Sequence, residues 1–257
     1  MYCVLPAASA PDDSDAPRGL EGAPVRIISD GALAALVSDV DATAYTPEAI
    51  GERAGDPTWL TPRAVAHDAV VTWASDRGTV IPLPMWVLFD DDARVRAMAV
   101  ERGDELRAAL DRVAGAREYG VRVSADAAAL AAAAEALDPN LAALAREADA
   151  ASPGQAYLLR RKLDEARRGA RRDVAERLAR EIHESLGLHA RASVPRVGTQ
   201  ATPQPDVLLN AAYLVADDAL DAFRAALTAL VERHGASGVR FDFTGPWPAY
   251  NFVRADG

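Results

Sequence analysis

Gly238-Val239-Arg240-Phe241-Asp242-Phe243-Thr244-Gly245-Pro246-Trp247-Pro248-Ala249-Tyr250-Asn251-Phe252-Val253 combines two kinds of backbone. In its first half Val239, Phe241 and Phe243 alternate with Arg240, Asp242 and Thr244. That is the period of a half-buried strand. Pro246 and Pro248 lack the backbone donor that a ladder needs, so the strand is expected to give way to a stiff, extended tail. The tail carries Trp247, Tyr250 and Phe252, and it needs an apolar surface to lie on, its own domain or a partner. No pair of residues in it suggests chemistry.

Working back from this strand, a second unit is expected to begin at residue 117. Glu118 to Val123 alternates as a strand, and alanine-rich helices follow at Ala127–Leu137 and Leu141–Ala148, separated at Pro139. Ser152-Pro153 opens a long helix, with Leu159, Leu163, Ala166, Ala170, Val174, Leu178, Ile182 and Leu186 as its apolar stripe and Gly187 as its stop. His189–Val197 and Val207–Val215 read as strands joined by a Pro-rich connection. Asp217 or Asp218 is expected to cap a helix carrying Leu220, Phe223, Leu227, Leu230 and Val231. The resulting order is strand, helix, strand, strand, helix, strand. That predicts an α+β protein whose C-terminal domain, residues 117–257 with the aromatic-proline tail, is ferredoxin-like with an extra helical segment.

Residues 1–116 read as another α+β domain. Tyr2–Leu5 is a short apolar strand, Pro6–Pro24 a flexible loop, and Asp30-Gly31 the turn of a hairpin between Val25–Ile28 and Leu33–Val37. Pro47–Ala54 is a short helix. Thr61-Pro62 has the cap-proline signature of a helix start, with Gly78 as the stop. Thr79–Phe89 contains Pro82 and Pro84 and is expected as an edge strand or an interrupted one. Asp90-Asp91-Asp92 opens a helix that is expected to run to about Val113.

The 257 residues are 50% hydrophobic, enough for one large core or two medium ones. The net charge of −10 is unevenly spread: residues 1–118 hold 20 acids and 11 bases, and residues 119–257 hold 18 and 17. Neither half has the basic balance of a nucleic-acid binder or of a protein docked on an anionic membrane. Cys3 is the single cysteine, so no intramolecular disulfide forms, in keeping with a reducing cytoplasm. No signal peptide and no membrane-length apolar run is read in the sequence.

A search for chemistry returns ordinary explanations. His67, His183, His189 and His234 include no i,i+4 pair of the kind that holds zinc on a helix. Asp90-Asp91-Asp92 reads as a helix cap, since no cation-loop spacing follows it. Ser38 and Ser185 lack a nucleophile-elbow setting, and no phosphate-binding glycine loop is present. No catalytic, cofactor or metal residue is assigned. The long helix is rich in arginine, including Arg160, Arg161, Arg167, Arg168, Arg171 and Arg172. Asp164–Arg168, Arg172–Glu176 and Arg177–Glu181 fall at i,i+4, so a solvated, ion-paired face is expected, with grip on an acidic partner as the rival reading. Ile81–Phe89 and the tail each read as core closure or as a hydrophobic binding surface. The candidate partner contacts are Trp86, Phe89, Trp247, Tyr250 and Phe252.

These features in order resemble the gas vesicle accessory proteins of the L/F family. Tyr2-Cys3-Val4 is similar to the family's opening strand, and Leu33–Ser38 to its Leu-Ala-Ala-Val-Val-Ser segment. Val80-Ile81-Pro82-Leu83 resembles Val-Leu-Pro-Leu, and Gly154 with Tyr157, Leu158 and Arg161 resembles Gly-x-x-Tyr-Leu-x-x-Arg. Asn210–Val215 and the Gly-Pro-Trp-Pro-x-Tyr-x-Phe ending complete the series. His67 also falls where a helix histidine is expected. One departure is plain: where the family commonly has Arg-Phe-Gly, this chain has Pro84-Met85-Trp86, so no contact of that arginine is carried over. The resemblance implies a non-catalytic protein of gas vesicle assembly, in the cytoplasm and at the vesicle. It implies binding to the small hydrophobic shell protein and to other accessory proteins, without cofactors, nucleic acid or membrane. The alternative class is a ferredoxin-like small-molecule binder or enzyme of unknown substrate, with its pocket near His67 or His189.

Overall fold

Leu33-Ala34-Ala35-Leu36-Val37 is buried at all five positions, which requires a strand covered on both faces. In the computed structural model, which describes residues 1–195 and 207–253, this segment is β3 (Leu33–Val37). It pairs antiparallel with β2 (Arg26–Asp30) and with β1 (Cys3–Pro6), and β4 (Ile81–Pro82) adds to the other side of β1. The sheet order is β2-β3-β1-β4. Gly31, at φ 57°, turns the β2–β3 hairpin, a conformation that glycine adopts without steric cost. Pro82 is tolerated because β4 is an edge strand.

On one face of the sheet Cys3, Leu5, Ala34 and Leu36 pack against Val70, Val71 and Ala74 of α2 (Pro57–Ser75), which follows a short α1 (Pro47–Arg53). On the other face lie Val95 of α3 (Asp92–Glu101) and Leu106 and Leu110 of α4 (Gly103–Val113). Three expectations change. Helix α2 starts earlier than Thr61, because Asp56-Pro57 supplies the same signature upstream: the Asp56 carboxylate accepts from Thr58 N, and Pro62 lies inside the helix. The helix expected over 90–113 is two helices, broken where Arg102 leaves helical geometry at φ −105°, ψ 16°. The stretch Pro6–Pro24 is pinned rather than flexible. Leu20 is buried, its N–H donates to the Tyr2 hydroxyl at 2.9 Å, and Tyr2 Oη lies 2.5 Å from Ser38 Oγ. Gly19 is required there, since a Cβ would come within 2.1 Å of that hydroxyl.

The second sheet has the order β6-β7-β5-β8, from β5 (Ala116–Ala125), β6 (Ala192–Pro195), β7 (Val207–Ala216) and β8 (Val239–Trp247). Both sheets are antiparallel and both place their strands in the same relative order: first strand third in the row, second and third as an edge hairpin, last at the far edge. Val121, Val123, Tyr213 and Val215 pack against Ile182 and Leu186 of α7 (Pro153–Gly187) and against Phe223 and Leu227 of α8 (Leu220–His234). Helices α5 (Ala127–Leu137) and α6 (Pro139–Ala150) lie against α7. The acids Asp217 and Asp218 sit in a 3-10 turn and do not cap α8, whose first turn has no side-chain cap. Strand β8 continues past Thr244 through Pro246, which an edge strand permits. The expected Pro-rich connection, with residues 196–197 of the expected strand, lies outside the described residues.

By its contacts the chain divides into two compact units: residues 1–118 together with residues 246–253, and Tyr119–Gly245. The sequence grouped the tail with the second sheet; its contacts group it with the first. Pro248, Ala249 and Phe252 are buried, and Tyr250 and Val253 pack against the first unit's core. Polar anchors hold the tail. Asn251 donates its backbone N–H to Glu118 Oε2 at 3.0 Å and its side-chain amide to Oε1 at 2.6 Å, and Arg112 donates to the Phe252 carbonyl at 3.2 Å. Glu118 is wholly buried, so its carboxylate depends on such donors. Replacing Asn251 by alanine removes the shorter of the two bonds and is expected to cost about 2 kcal/mol. Phe252→Ala should cost about 3–5 kcal/mol through cavity formation. Denaturant titration of both variants checks the values.

Candidate functional site

Trp86 has a backbone φ of 76°, a region that bulky side chains rarely enter. The strain is offset by ring packing. Trp86 stacks on Trp59 with centroids 5.2 Å apart and planes 19° from parallel, and it meets Tyr45 at 5.8 Å. Arg63, one turn along α2 from Trp59, lies over the Trp59 ring at 4.5 Å and donates to the Trp59 carbonyl at 2.7 Å and to the Tyr45 hydroxyl at 3.0 Å. Tyr45 donates to Glu21 at 2.6 Å, and Arg63 pairs with the same carboxylate. The Tyr45 hydroxyl bond, helped by Arg63, holds the Glu21 carboxyl below its usual range. Burial, together with Glu21, pushes the Tyr45 phenol up. The group is a braced aromatic cluster in which Tyr45 is buried and Trp59 and Trp86 are half-buried.

The five candidate contacts do not form one patch. Trp86 and Tyr250 join the same aromatic-rich core cluster, while Phe89 packs near Ile28 and Val95 on the other side of the first sheet. Phe252 is 5% exposed and Trp247 is 43% exposed. Trp247 and the neighbouring-segment residue Leu88, at 41%, are thus the large apolar side chains that these two segments offer to solvent. Sequence reasoning missed Trp59, Tyr45, Arg63 and Glu21. The i,i+4 spacing of Trp59 and Arg63 was the available signal.

His67 is buried, with Nε2 3.0 Å from the Leu83 carbonyl and its ring 5.3 Å from Tyr2. Burial lowers its pKa from the usual value. Cys3 is buried, and its thiol is pushed up to about 12, an unreactive state. His183 Nδ1 lies 2.9 Å from the Tyr213 hydroxyl and its Nε2 3.4 Å from Ser193 Oγ, which ties α7 to the β6–β7 hairpin. Tyr213 has no exposed surface, so this row is internal bracing. Among the described residues no group of three or more His, Cys, Asp or Glu is placed to hold a metal, and no helix is long and apolar enough to cross a membrane.

None of the three i,i+4 pairs expected along α7 is among the ion pairs of the described residues; Glu181 and Arg167 pair between helices. Glu181 takes Arg233 at 3.0 Å and His234 at 3.3 Å on α8, and Arg167 reaches Glu135 on α5 at 3.0 Å. Pairs along one helix are worth only tenths of a kcal/mol, so neighbouring helices readily compete for the same charges.

Two four-stranded antiparallel sheets with flanking helices, and a tail returning to the first unit, define a two-unit α+β protein without assembled catalytic groups among the described residues. The chain belongs to the family described as gas vesicle synthesis protein GvpL/GvpF, which it matches over residues 1–254. It is 34% identical to gas vesicle protein L of a Streptomyces species over 96% of this chain and 91% of that protein. It is 26% identical to gas vesicle protein L1 of Halobacterium salinarum, with 98% and 89% covered. Among solved structures, GvpF from an Anabaena species superposes with a TM-score of 0.75 at 15% identity, over 100% of this chain and 98% of that one. GvpF from Microcystis aeruginosa gives 0.70 at 16%, with 98% and 97% covered. The chain is therefore a gas vesicle accessory protein with the GvpF fold.

Two outcomes check this geometry. At position 86 the backbone favours glycine, so Trp86→Gly should be more stable than Trp86→Ala by about 1 kcal/mol, as thermal unfolding would read. His67 stays neutral in the fold, while the unfolded chain takes up its proton below pH of about 6.5. Its contribution is complete above that pH and falls as the pH drops toward the lowered native value. The stability difference between wild type and His67→Gln should shrink accordingly on acidification.

Proposed function

We propose that this protein holds the small hydrophobic shell protein of gas vesicles in a soluble, assembly-ready form, and hands it on without catalysis. Family membership carries the reading. The physical argument is that a strongly apolar subunit aggregates unless its surface is covered, and a partner with exposed aromatic side chains on a rigid frame can cover it. The net charge of −10 keeps such a complex soluble. The exposed Trp247 and the half-buried Trp86, with Phe89 beside the exposed Leu88, are the proposed contacts. Tyr250 and Phe252 act by fixing the tail from which Trp247 projects. Other gas vesicle accessory proteins are further proposed partners, and the proposed location is the cytoplasm and the vesicle. We also assign the second unit to the ferredoxin-like class, on its element order and the strand order β6-β7-β5-β8.

The test is co-expression of the tagged protein with the shell protein, followed by recovery of soluble complex. Wild type should retain the shell protein. Trp86→Ala/Trp247→Ala should reduce its recovery at least about fivefold while the protein stays folded, in line with loss of aromatic anchors. Unchanged recovery with the folded double variant would remove these contacts from the proposal. No recovery with wild type would remove direct shell binding.

A further inference from the structure

We propose that the second unit carries a separate docking groove for an acidic, amphipathic helix of a partner protein, lying along α7. Two adjoining cavities make up the groove. The wider, about 680 Å³, is bounded by α7, the start of α5 and the start of β7; the narrower, about 250 Å³, continues between α5, α6 and α7. They share Arg168 and Arg171. Together they follow α7 from Asp164 to Arg180, about 24 Å at the helical rise, which matches about four turns of a bound helix.

The groove has an apolar floor and a cationic wall. Leu130, Val207 and Leu208 provide the floor, and Ala175 and Ala179 keep the α7 side shallow enough for close helix approach. Arg168, Arg171, Arg172 and Arg180 form the wall against a single glutamate, Glu176, in the wider cavity. None of these four arginines makes an ion pair within the described residues. In the narrower cavity Glu135 is already neutralised by Arg167, and Asp164 is the remaining acid. A helix interior would satisfy its own backbone, bury leucines on the floor and present carboxylates to the wall, where arginine forms forked, charge-assisted bonds. The occupant is thus a helix with leucine or alanine on one face and glutamate or aspartate on the other. This site is built wholly within Tyr119–Gly245 and is independent of Trp86 and Trp247.

Fluorescence anisotropy of the full chain tests it, with a labelled helical peptide of about 18 residues that has a leucine-alanine face and a glutamate face. The comparison is a peptide with glutamine for glutamate. Binding of the acidic peptide at least about tenfold tighter than the glutamine peptide is expected. Arg168→Glu/Arg171→Glu/Arg172→Glu should abolish that preference and select a lysine-faced peptide instead. Circular dichroism confirms that the triple variant is folded; if it is not, Arg172→Gln alone should still weaken the acidic peptide by about threefold. Equal binding of the acidic and glutamine peptides overturns the proposal. So does an affinity for inorganic polyphosphate or phosphatidylglycerol vesicles that is lost in the variant while the acidic peptide fails to bind.

Discussion

The buried carboxylate of Glu118 organises the end of this chain. Its charge has no exposed surface, and two donors of Asn251, one backbone and one side-chain, come from more than a hundred residues further along the sequence. An ionised group in such a place is stable only while hydrogen bonds replace the water it has lost. The tail is therefore part of the first unit's structure. Phe252, Ala249 and Pro248 are buried behind this clasp, and Tyr250 reaches the cluster that contains Tyr2, Leu36 and Trp86. The chain passes from the first unit to the second near Glu118 and returns near Pro246, so the clasp joins the departure point to the return.

That arrangement divides labour among the aromatic residues. Those facing inward hold the frame, and Trp247 is left with 43% of its surface exposed. Trp86 is held in a backbone conformation suited to glycine. Its ring is captured by Trp59 and Tyr45, with Arg63 and Glu21 bracing the group. The half-buried rings of Trp59 and Trp86 are thus held at low conformational cost, because packing has already removed their freedom.

Much of the fold was legible because its signals are local. The continuous apolar run at Leu33–Val37, the Asp30-Gly31 turn, the long α7 stripe and the alternation in β8 all follow from periodicities of two or 3.6. The misses have a common cause. Asp56-Pro57 and Thr61-Pro62 carry the same helix-start chemistry, and local reading does not rank them. The Pro6–Pro24 stretch has the composition of a loose loop, yet it is fixed by the hydroxyl of Tyr2. The tail reads equally as binding strip or core plug, because its fate depends on Glu118, a partner that no spacing rule links to Asn251. The arginines of α7 stand four residues from acids on their own helix in the sequence, but Glu181 and Arg167 find partners on α8 and α5. Tertiary competition is invisible in a one-dimensional pattern.

Hydrogen exchange of the C-terminal peptide, read by mass spectrometry on the intact protein, addresses the clasp most directly. If Glu118 holds the tail as an integral part of the first unit, the amides of Asn251 and Phe252 exchange only with the slow opening that releases the β1–β3 core. Exchange of those amides at the rate of an unstructured peptide, while the β1–β3 core stays protected, would contradict the account.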